Sequence, residues 1–141
     1  MHKGDWAIHN VLPFLLEQIG PADVEIATFS ISEDSIRPLF FLAESGLINR
    51  LTLLLDTTVK RHKLDMLLFA ANITADIRIS ACHAKVLLIE NKEYQFGIVG
   101  SANMNLNQRW ESGFYFTSGY HFNYFKNAFK EAYNQSIIFN L

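Results

Sequence analysis

Only one cysteine, Cys82, stands in the 141 residues. No disulfide can form within the chain, and a reducing compartment is the simpler expectation. An excess of charge is also missing, because 12 Lys and Arg against 14 Asp and Glu leave a formal charge of −2. Global attraction to nucleic acid is thereby excluded, and any affinity for phosphate has to come from a local patch. No apolar run approaches the roughly 18 residues that span a bilayer. The N-terminus MHKGDW lacks a signal-peptide layout, since Asp5 follows the basic residues and Glu17 ends the apolar run that begins at Val11. A cytoplasmic protein with no stable membrane association is expected. His2, His9, His62 and His121 show no metal-ligand spacing and no neighbouring cysteine or carboxylate pair of the zinc type. Neither a metal site nor a cofactor is expected. Repeats, linkers and low-complexity segments are absent as well. Half of the residues are apolar, which is enough for one real core in a chain too short for two, so residues 1–141 are expected to form a single domain.

What is present is an alternation of strand and helix patterns. Trp6, Val11, Leu12, Leu15, Leu16 and Ile19 approximate a helical stripe that Gly20-Pro21 stops, with Pro13 at a kink or near the helix start. VEIATFS predicts a strand, and Ser32 caps a helix ending near Ser45-Gly46. RLTLLLD predicts a second strand, Thr57 or Thr58 starts a helix running to about Ala71, and ADIRIS predicts a third strand. Such alternation argues for an α/β fold with right-handed crossovers and a mixed, largely parallel sheet flanked by helices. Near the end, residues 111–117 predict a strand and residues 120–133 a helix. Phe122, Phe125 and Phe129 fall there at core spacing, which favours packing over a base-stacking platform. The apolar tail SIIFNL either docks on the domain or helps to form a dimer.

The chemistry concentrates in HAKVLLIENKEYQFGIVGSANMNLNQRWE, residues 83–111. Reading KVLLIE as a strand puts His83 and Lys85 side by side on one face and sends Cys82 and Ala84 to the other, where a buried inert thiol suits Cys82 better than a catalytic one. Asn91, Lys92 and Glu93 supply a turn, so the strand from Tyr94 to Val99 returns Gly100-Ser101-Ala102-Asn103 to the neighbourhood of His83. This set suits attack on phosphorus. A neutral imidazole is a good nucleophile near pH 7, a lysine holds a phosphoryl oxygen, and Ser101 and Asn103 donate to the other oxygens. Glu111 is placed to accept the second ring N–H of His83 and to stabilise the imidazolium.

The spacing H-x-K-x4-E-x9-G-S-x-N with a downstream Glu resembles the HKD signature of the phospholipase D superfamily. At average residue usage its chance occurrence in a chain of this length is about one in 10⁴ or rarer. His83, Lys85, Ser101 and Asn103 match the family's motif positions, and a single copy of the motif resembles the short nuclease branch. That resemblance implies a phospholipase D-like half with one active site per homodimer, a phosphohistidine intermediate and no metal. Glu90 stands where the family usually has Asp and is taken as a supporting group. Nucleic acid is the expected substrate, with lipid or another phosphodiester as alternatives, and a non-catalytic nucleic-acid-binding dimerisation module as a further one. Lys60, Arg61 and Lys63 in the run VKRHK either hold a polyanionic backbone or begin a solvated helix. Arg109 either reaches a phosphate or is a surface-loop arginine.

Overall fold

Helix propensity and capping set the first elements. In the computed structural model, which describes residues 1–3, 7–105 and 108–140, the chain opens with β1 (His2–Lys3) and α1 (Ile8–Ile19). Trp6 and Leu141, assigned above to the first helix and the tail, lie outside the described residues. Pro13 sits inside α1, where its missing N–H leaves the His9 carbonyl without the usual i−4 partner, and Gly20 at φ 80° ends the helix. Next come β2 (Ala22–Thr28), α2 (Glu33–Glu44) and β3 (Ile48–Asp56). Ser32 is the N-cap of α2, and the Ser35 hydroxyl three residues on accepts its backbone N–H at 3.1 Å.

The single helix expected from Thr57 to Ala71 is two helices, α3 (Thr57–His62) and α4 (Leu64–Ala71). Lys63 breaks them at φ −138°, ψ 45°. Its ammonium turns inward to donate to Ser30 Oγ at 2.8 Å and to the Ile31 carbonyl at 2.6 Å. These two bonds in a part-buried position outweigh the one helical turn they interrupt.

The remaining elements are β4 (Ile77–Ser80), β5 (Val86–Glu90), β6 (Gln95–Gly100), β7 (Trp110–Glu111), β8 (Gly113–Phe116), α5 (Gly119–Asn134) and β9 (Ile137–Ile138). A seven-stranded sheet runs in the order β8-β6-β5-β2-β3-β4-β9, and β1 with β7 forms a separate ribbon. The α/β class with a mixed sheet flanked by helices is as expected, but the sheet is not largely parallel. Only β2–β3 and β3–β4 pair parallel; β2–β5, β5–β6, β6–β8 and β4–β9 are antiparallel. Parallel pairing needs a crossover of about a dozen residues. Connections of that length join β2 to β3 through α2 and β3 to β4 through α3–α4, whereas β5–β6 is a hairpin closed by Asn91, whose Oδ1 accepts the N–H groups of Glu93 and Tyr94.

Apolar side chains fill both faces. Leu12 and Leu16 of α1, Ile36 and Leu39 of α2, and Leu67 of α4 cover one face with Val24, Ile26, Leu53 and Leu55. On the other face, Phe122 and Phe129 of α5 pack on Ala27, Leu54, Cys82 and Leu88, so the aromatic spacing of α5 does serve the core. Of the C-terminal tail, β9 pairs with β4 and forms the edge of the sheet, and Phe139 packs against the core, while Ile137 and Ile138 stay exposed. Among the described residues no helix is long and apolar enough to cross a membrane.

Candidate active site

Strand direction alone brings the candidate residues to one end of the sheet. β5 runs opposite to β2, β6 opposite to β5, and β8 opposite to β6. The end of β2, the start of β5, the end of β6 and the start of β8 therefore meet, with Ala27 opposite Val86, Val86 opposite Val99, and Gly100 opposite Gly113. Residues 81–85 reach β5 from β4 by passing over the C-terminal ends of β3 and β2, the place where α/β sheets bind ligands. Asp56 at the end of β3 anchors this crossover. One carboxylate oxygen accepts Cys82 N–H at 2.9 Å, and the other accepts Thr58 N–H at 2.8 Å as the N-cap of α3. Burial pushes the Asp56 carboxyl up, but the hydrogen bonds from Thr58, Cys82 and Thr57 outweigh it and hold the group below its ordinary value.

His83 and Lys85 come together by a route other than the expected strand face. β5 begins at Val86, so the His-Ala-Lys run is a loop, in which His83 is exposed and Lys85 buried. Lys85 Nζ donates to the His83 carbonyl at 2.5 Å and lies 3.0 Å from His83 Nδ1. Phe29, just past β2, floors the pair: its ring is 4.9 Å from the imidazole and 5.6 Å from the ammonium. Burial draws the Lys85 ammonium below its ordinary value, partly countered by Cys82, Glu111 and Asp56. An ammonium so stripped of water gains more from a phosphate oxygen than one in bulk solvent. Cys82 is buried beneath, as expected, and burial raises its thiol pKa.

Past β6 burial alternates along the chain. Ala102 and Met104 point in and are buried, and Met104 N–H donates to Thr28 Oγ1 at 3.2 Å. Ser101, Asn103 and Asn105 instead line the cleft. Gly100 permits this geometry because a Cβ there would sit 2.7 Å from the Ser112 carbonyl oxygen. Glu111 accepts the Ser101 hydroxyl, and Ser112 N–H donates to Ser101 Oγ at 3.1 Å. The buried Oδ1 atoms of Asn103 and Asn105 have no partner among the described residues, which leaves polar capacity for a ligand.

Together these groups border an open cleft of about 590 Å³, lined by Phe29, Ser30, His83, Lys85, Ser101, Asn103, Asn105, Arg109, Trp110 and Glu111. Five expected residues, His83, Lys85, Ser101, Asn103 and Glu111, share it with Arg109. The others do not. Glu90 lies at the opposite end of β5, roughly 16 Å along the strand from Lys85. There it accepts from Gln95 and Lys126, tying α5 to the sheet, so it is not a support for the cleft. Lys63 lies outside the lining and touches the rim through Ser30, and Lys60 and Arg61 are exposed on α3 outside the lining. Phe29, Ser30, Asn105 and Trp110 escaped the sequence reading, although Trp110 sits between two residues that it named. Among the described residues no group of three or more His, Cys, Asp or Glu gathers as a metal site would need.

No family model matches the chain, and no curated protein matches its sequence. The fold is similar to that of TrmBL2, an archaeal chromatin protein whose structure shows a novel mode of DNA binding, with a TM-score of 0.58 at 13% identity. The match covers 94% of this chain and 52% of that one, so the chain spans about half the length of its structural neighbour.

Proposed function

We propose that this chain is a phosphodiesterase of the phospholipase D type, a nuclease that uses His83 as nucleophile at a site shared by two copies of the chain. The observation that carries this reading is the meeting of His83, Lys85, Ser101, Asn103 and Glu111, drawn from three separate segments, in one open cleft. In the first step a ring nitrogen of His83 attacks phosphorus. The P–O bond to the leaving group breaks, and its oxygen takes a proton from the partner's His83. Water then attacks the phosphohistidine and gives its proton to the partner's His83, and the N–P bond breaks to release a phosphate ester. Lys85 holds the developing charge, Asn103 donates to a second oxygen, and Ser101, fixed by Glu111, supports both. Lys85, Ser101 and Asn103 thus supply what a cation held by paired carboxylates supplies in metal-dependent nucleases.

The test is hydrolysis of single-stranded DNA, duplex DNA, RNA and phosphatidylcholine by one purified sample in excess EDTA. Cleavage of a nucleic acid is expected. Loss of turnover in chelator with recovery on adding Mg²⁺ or Zn²⁺ overturns the metal-independent chemistry, and cleavage of phosphatidylcholine alone moves the reading to lipid. A second reading, a nucleic-acid-binding dimerisation module without catalysis, is favoured by the fold's similarity to a DNA-binding chromatin protein. Binding without hydrolysis of any substrate would select it.

A further inference from the structure

We propose that the cleft takes an unpaired nucleic-acid strand, with one base stacked on Trp110. This inference rests on the phosphodiester reading and narrows its substrate class. Trp110 is 69% exposed, yet it borders the same cleft as His83 and Lys85. Its backbone is held by the β1–β7 ribbon, in which Lys3 pairs with Trp110 and His2 with Glu111. A ring on a paired backbone is presented in a defined place at little entropic cost. Lys3 Nζ stands over the ring at 6.0 Å from its centroid, which leaves the opposite face for a base, and Arg109 precedes the indole on the cleft wall, so cations stand close enough to meet the phosphates of a stacked nucleotide.

Other aromatics do not offer the same platform. Phe29 is partly buried and already meets His83 and Lys85, which makes it a floor. Tyr120 and Tyr124 are exposed on α5 but do not line the cleft. In a duplex both faces of each base are occupied by neighbouring bases, so an indole beside the phosphate groups gains contact only with a base that is free of the stack.

The experiment measures binding in EDTA in a His83→Asn background, which prevents turnover. Fluorescence anisotropy compares oligo-dT, an abasic oligonucleotide of equal length and charge, and a duplex of that length. Oligo-dT is expected to bind at least about fivefold tighter than the abasic strand, the lower range for one stacked base. Trp110→Ala should abolish that difference while leaving abasic binding within about twofold, and Trp110→Phe should restore part of it. Equal affinity for oligo-dT and the abasic strand, tighter binding of the duplex, an equal loss for both strands in Trp110→Ala, or no binding at all overturns the inference. A change of oligomeric state in Trp110→Ala by light scattering assigns the ring to a subunit contact and overturns it too. Wild-type hydrolysis is scored separately. A base preference without turnover keeps the stacking contact and removes the enzyme reading, whereas turnover without base preference does the reverse.

Discussion

At the scale of single residues, the roles proposed for the cleft separate by kinetics. His83→Asn should lower kcat by about 10⁴-fold or more with substrate binding little changed, because Lys85 and Asn103 still hold the phosphate. A phosphoryl group trapped on wild type after a denaturing alkaline quench, and absent from the variant, is the matching signature. Wild-type turnover in His83→Asn would sink the nucleophile assignment. Lys85→Ala should raise KM and lower kcat together, since the ammonium contacts substrate in both ground and transition states. Glu111→Gln is expected to be milder, because an amide oxygen still accepts from Ser101 but carries no charge. Gly100 tests the scaffold beneath these groups. Gly100→Ala puts a methyl 2.7 Å from the Ser112 carbonyl and should cost about 1–3 kcal/mol in urea denaturation, as over-packing does.

At the scale of elements, Asp56 couples the start of α3 to the crossover that carries His83. Its carboxyl is held below the ordinary value of 3.8 in the folded chain. A depressed carboxyl contributes stability that is fully present above the unfolded-state pKa and is lost as pH falls through the folded one. Asp56→Asn should therefore destabilise the protein by about 1–3 kcal/mol at neutral pH, and the gap from wild type should close as pH drops below about 4. Chemical denaturation at a series of pH values measures it, and a gap independent of pH would show that the charge contributes nothing. Lys63 acts similarly between elements, trading a continuous helix for two bonds to the loop after β2. Glu90 and Lys126 do so for α5, where burial opposes both charges but is outweighed by their hydrogen bond together with Gln95 at Glu90 and the carboxylates of Glu25, Glu90 and Asp23 around Lys126, lowering the Glu90 pKa and raising that of Lys126.

For the whole molecule, one motif supplies one histidine where the proposed reaction uses two, a nucleophile and an acid. A two-fold dimer with the cleft on its axis meets that need. Light scattering at assay concentrations should give twice the chain mass, and mixing His83→Asn with Lys85→Ala should leave less than wild-type turnover at every ratio. A strictly monomeric sample with full activity would count decisively against the shared site. The open edge of β8 carries the exposed side chains Phe114 and Tyr115 beside this end of the sheet.

Much of this was legible in residue order, and the limits have a physical cause. Alternating and helical patterns, a Gly stop after α1 and the Ser32 cap are local signals, so the elements from α1 to β4 emerged with only the Lys63 break missed. The spacing from His83 through Asn103 spans one hairpin, and a hairpin of known length brings its ends together whatever the rest of the fold does. By itself the sequence determined these elements, an α/β arrangement with helices packed on a sheet, and the convergence of His83 and Lys85 with Ser101 and Asn103. Which open edge a strand joins is a long-range choice that no local pattern encodes. Tertiary structure alone therefore decided that β5 crosses to pair antiparallel with β2, which makes His-Ala-Lys a loop over the sheet end and buries Lys85 while exposing His83. It likewise carried Glu90 to the far end of β5, set Phe29 beneath His83 and Lys85, and paired Trp110 with Lys3, because those neighbours come from segments distant in the chain.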